Sequence, residues 1–103
     1  MKPRFDAEQV SRIIDQALMF QCACAAQLAT TLLELRDLFD YEEKCREGAD
    51  ESGRRVHDAI ARATREAHER MEQCLDEVLR LEGWDMATLT MPEGLRKKPV
   101  KSF

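Results

Sequence analysis

Two apolar lines at helical spacing, the first uninterrupted by proline or glycine, leave this chain little choice of fold. Val10, Ile13, Ile14, Ala17, Leu18, Cys24, Leu28, Leu32, Leu35 and Phe39 fall along one face of an α-helix. Val56, Ile60, Ala63, Ala67, Met71, Cys74, Val78 and Leu81 do the same later in the chain. The chain therefore reads as all-α. No Pro or Gly lies between Phe5 and Glu47. Leu18, Ala25, Leu32 and Phe39 keep a seven-residue spacing straight through Cys22–Ala26, the stretch where a kink would otherwise be expected. The pattern predicts one long helix over residues 7–47 and a second over 51–82.

The end signals agree with those bounds. Asp6 and Gln9 form a capping-box pattern, and Phe5 and Val10 can close a hydrophobic staple around it. The segment Gly48–Gly53 (GADESG) is the linker. Gly48 suits the position after the first helix, Asp50 or Ser52 can cap the second, and Gly83 stops it. A short linker makes the two helices antiparallel neighbours, a helical hairpin. Trp84 to Met91 is apolar without a long helical run and reads as a short segment packing back on the hairpin. Residues 1–91 then form one domain, and residues 92–103, with Pro92 and Gly94, read as a mobile basic tail.

Between Ala17 and Ala29 the first helix is apolar nearly all round. Such a helix is buried on several sides, which a two-helix hairpin cannot arrange alone. The expectation is a homodimer in which two hairpins form a four-helix bundle. Leu18, Met19, Phe20, Cys22, Leu33 and Trp84 are its candidate interface residues. A monomer that uses the C-terminal segment as a third layer is the alternative.

Charge narrows the partners. The formal net charge of −4 argues against nucleic acid, because phosphate binding needs a basic patch. Only Arg96, Lys97, Lys98 and Lys101 cluster, in the tail. The most apolar window, Ala17–Ala29, is shorter than the roughly 20 residues that span a bilayer. Asp6, Glu8 and Gln9 interrupt any signal-peptide core after the basic start. A cytoplasmic protein without a membrane partner is expected, with reduced thiols rather than a disulfide framework.

Four cysteines remain to be explained. Cys22 and Cys24 lie two residues apart, which on a helix turns their thiols to opposite faces. A hairpin turning near residue 49 sets Cys24 level with Cys74, so those two, with Cys22 assisting, are the candidate metal ligands. Soft thiolates would select copper or zinc. The other reading of this layer is a pair of small buried hydrophobes.

Motifs for chemistry are sparse. His68-Glu69-Arg70-Met71-Glu72 resembles the start of a zincin helix but lacks the second His. Arg54 and Arg65 stand three residues before His57 and His68, where a di-iron bundle would carry Glu. Glu34, Asp37, Asp40, Glu42 and Glu43 read as salt-bridge partners of Arg54, Arg55, Arg62 and Arg65 across the hairpin. There is no phosphate-binding glycine loop and no nucleophile elbow. The residues support a helical interaction or adaptor protein that dimerises and binds a protein partner, with no catalysis and no cofactor. The alternative is a thiol-based metal-binding or redox-sensing bundle using Cys24 and Cys74.

Overall fold

The structure is a computed structural model that describes residues 1–19 and 23–92. Three helices make up the described chain: α1 (Ala7–Met19), α2 (Ala23–Glu47) and α3 (Glu51–Glu82). Each start follows its local chemistry. Asp6 Oδ1 accepts from the Gln9 backbone N–H at 2.7 Å, and Gln9 Oε1 accepts from the Asp6 N–H at 2.9 Å, closing the capping box. Phe5 and Val10, the staple pair, are both buried. Asp50 caps α3 by accepting from the Gly53 N–H at 2.8 Å. Gly83 ends α3 in the left-handed region at φ 81°, with its N–H on Arg80 O and the Trp84 N–H on Leu79 O. Gly48 follows α2 without adopting positive φ, so its permissiveness is not used.

The expected single helix over 7–47 is two helices. Arg36, midway along α2, donates through Nη2 to Phe5 O at the start of α1. The chain enters α2 only four residues after α1 ends. Helix α1 is therefore folded back antiparallel on α2. The physical reason is burial. In a straight helix Val10, Ile13 and Ala17 would have no second layer to cover them. Folded back, they join a core with Ala25, Ala29 and Leu32, whose small residues allow close approach. Seven-residue spacing survives the reversal, so periodicity alone did not register it. Within Ala17–Ala29 the fold buries Ala17, Ala25, Ala26 and Ala29, while Leu18 and Met19 stay exposed. Phe20, Gln21 and Cys22 lie outside the described residues, as do residues 93–103 of the basic tail.

Helices α2 and α3 form the hairpin. Arg36 meets His68, and Arg46 meets Asp58, which sets one antiparallel register along its length. Residues 84–91 pack back on the end of the hairpin that α1 covers. Trp84, Leu89 and Met91 are buried there with Ile13, Leu75 and Leu79. An Asp85–Thr90 bridge closes that turn, Leu89 takes φ 55°, and Met91 N–H reaches Gln16 Oε1 at 3.2 Å. The principal extents are 55 × 29 × 19 Å, about two helix layers thick along the thin axis.

Candidate functional site

Helix α3 buries an unexpected face. The side chains turned into the fold are Ala61, Thr64, His68, Glu72, Leu75 and Leu79. The apolar line read from the sequence lies about a quarter turn away. Its upper half is bare: Val56 is 55% and Ile60 36% exposed, and Ala63 and Ala67 are exposed as well. Met71, Cys74 and Val78 are half-buried, and Leu81 is 79% exposed.

Polar groups hold the buried face instead, where α3 meets α2 and the N-terminal segment. Glu72 Oε2 accepts the backbone N–H groups of Arg4 at 2.7 Å and Phe5 at 3.0 Å, and lies 3.4 Å from Arg36 Nη2. Arg36 Nε donates to His68 Nε2 at 2.9 Å. That nitrogen must carry a lone pair, so the ring proton sits on Nδ1, which faces Glu72 Oε1 at 3.6 Å. Burial pushes the His68 pKa below its ordinary 6.5; Glu72 opposes that shift, while Arg36 and the N-terminal amine reinforce it. A neutral imidazole between a guanidinium and a carboxylate is a positioning device here: it fixes where α1 begins against α2 and α3. A cleft of about 320 Å³ lies above it, lined by Met1, Lys2, Arg4, Arg65 and Glu69. His68 and Glu72, the ends of the stretch that resembles a zincin helix start, are interior residues whose hydrogen bonds are made inside the fold.

The interhelical pairs also differ from expectation. His57 Nδ1 meets the buried Glu42, and Arg46 meets Asp58, while Arg55 turns to Glu51 on its own helix. Of the acidic run of α2, Glu42 thus engages His57 rather than an arginine of α3. Asp76 bridges Arg80 and Arg4, which hold its carboxyl below the usual range.

Of the candidate interface residues, Leu18, Met19 and Leu33 are exposed. Trp84 is a correction: it is 5% exposed, because its indole is needed to close the α1 end of the core, and its Nε1–H donates to Glu82. Phe20 and Cys22 lie outside the described residues. Among the candidate ligands, Cys24 is exposed and Cys74 half-buried, both as free thiols. The observed register sets Cys24 against the last turn of α3, about 9 Å along the axis beyond Cys74. Among the described residues no group of three or more His, Cys, Asp or Glu is placed to hold a metal.

The site that remains is the open face of the hairpin. The N-terminal segment reaches the Glu72 and Asp76 edge of α3, so α1 covers one side. Val56, Ile60, Ala63, Ala67 and Cys74 point to the other side. By the same helical phase Leu38, 40% exposed, joins them from α2, with Tyr41 at the outer edge. Among the described residues no helix is long and apolar enough to cross a membrane. Comparison with protein-family models, curated proteins and solved structures gives no match.

Proposed function

We propose that this chain is a helical interaction module that acts by binding, through self-association and capture of a protein partner, and not by catalysis. One observation carries the reading: the first half of the most regular apolar line of the sequence, Val56 to Ala67, is left exposed on the side of the hairpin away from α1, and it runs on into the half-buried Met71, Cys74 and Val78. Contiguous apolar surface of this kind marks association sites. Leu18, Met19 and Leu33 add a second exposed apolar area near α1 for the protein partner. A cytoplasmic setting suits the free thiols. A thiol centre on Cys24 and Cys74 is the weaker proposal, because the two sit at different levels of the hairpin.

The test is size fractionation of native extract and of purified protein, for the natural chain and for Ile60→Glu. The natural chain is expected in a complex larger than one subunit in at least one preparation. The variant is expected as a monomer with unchanged helical circular dichroism. A natural chain that is monomeric in both preparations overturns the proposal.

A further inference from the structure

Building on that reading of the open face, we infer that its occupant is a second copy of this chain, with α3 packed antiparallel on its partner's α3 about a dyad at Ala67. The spacing of the line carries the inference. From Val56 to Val78 the steps between apolar residues read the same in both directions, with Ala67 at the centre. An isologous antiparallel pair therefore sets Val56 against Val78, Ile60 against Cys74, Ala63 against Met71, and Ala67 against itself. Large side chains meet small ones in the middle layers, and alanine at the dyad lets the backbones approach closely.

Helix α2 points to the same axis independently. The register set by Arg36 with His68 and Arg46 with Asp58 places Leu38 level with Glu66 and Ala67. Leu38 is the large exposed apolar residue of α2 on this side, so a dyad through Ala67 also brings Leu38 onto its own copy. Charge agrees with the antiparallel sense. The outer edge of α3 carries Arg55, Glu66, Arg70 and Glu77. Antiparallel pairing brings Glu66 within about half a turn of Arg70 from the other copy, and Arg55 within the same distance of Glu77. A parallel pair would put the two outer edges on opposite sides of the interface and make neither contact. From Val56 to Val78 the strip is about 33 Å long and two helices wide, on the order of 600 Å². That is below the roughly 800 Å² per partner of a typical stable interface and within the range of such interfaces.

The experiment uses the full chain with Cys22, Cys24 and Cys45 changed to Ser, Cys74 kept, and Ile60→Cys added. Native mass spectrometry reads the subunit count, and a short bis-maleimide followed by peptide mapping reads which cysteines are neighbours. The expected result is a dimer linked between residue 60 of one copy and Cys74 of the other. Adding Ala67→Glu is expected to weaken dimerisation on the order of 100-fold, by placing two buried like charges at the dyad. A dimer that yields 60–60 and 74–74 links, or none, overturns the antiparallel pairing and leaves self-association standing. If the natural chain is a monomer in pure form yet runs in a larger complex in extract, a second copy is excluded, and only the broader reading survives.

Discussion

The two ends of the hairpin are built differently. At one end α1 packs on α2, the segment before it reaches α3, residues 84–91 fold back on the same core, and Ile13, Leu32, Leu75 and Leu79 are fully buried. At the other end, from about Asp37 to the linker and back to Ala67, the two helices have only each other. Leu38, Tyr41, Val56 and Ile60 stay exposed there. Burial of the hairpin beneath a second layer gives the first end its stability. The second end is held by a few polar pairs, Glu42 with His57 and Arg46 with Asp58, the latter at the surface, where such pairs contribute little. The difference teaches where binding surface comes from in a small chain: it is the part of the apolar pattern that the chain's own elements fail to cover.

The sharpest way to break the contrast is at Glu72. Glu72→Ala leaves the Arg4 and Phe5 N–H groups and Arg36 without their acceptor inside the covered end, a loss of about 3–5 kcal/mol by urea unfolding. Leu75→Ala opens a cavity at the same end and is expected to cost about 2–5 kcal/mol. Val56→Ala on the open end, measured on protein dilute enough to be monomeric, is expected within about 0.5 kcal/mol of the natural chain. A loss at Val56 equal to that at Leu75 would erase the distinction between the ends.

Acid sharpens the contrast further. His68 has a folded pKa below its ordinary 6.5. As pH falls through 6.5 the unfolded chain takes up a proton that the folded chain refuses, so stability is complete above that value and declines below it until the folded pKa is reached. Chemical denaturation between pH 7.5 and 5 is expected to show this decline, and His68→Gln to flatten it. The smallest effect is at the first cap: Asp6→Ala removes one acceptor of the capping box and is expected to cost about 1 kcal/mol.

Much of this was legible in the residues. The Asp6–Gln9 box, the GADESG linker and the Gly83 stop each depend on a few neighbouring groups, so local chemistry sufficed to place them, while the choice of Asp50 over Ser52 as the α3 cap came from the structure. The return of Trp84–Met91 followed from its apolar content beyond a helix stop. The reversal between α1 and α2 was not legible, because no breaker marks it and the apolar spacing runs on across it. The polar centre was missed for a different reason. His68, Glu72 and Arg36 are polar residues that singly belong at a surface, and only their mutual satisfaction makes burial tolerable.

What the sequence determined by itself is the helical content, the outer helix ends and the existence of two apolar lines, because these rest on interactions within a few residues. What the tertiary structure decided is which line becomes core. The first folds on itself to bury Val10, Ile13 and Ala17. The second is passed over, because Glu72 must meet the Arg4 and Phe5 N–H groups, and Arg36 must meet His68, which turns α3 by about a quarter turn. Periodicity reports that a helix has an apolar side. It carries no information about what that side will face.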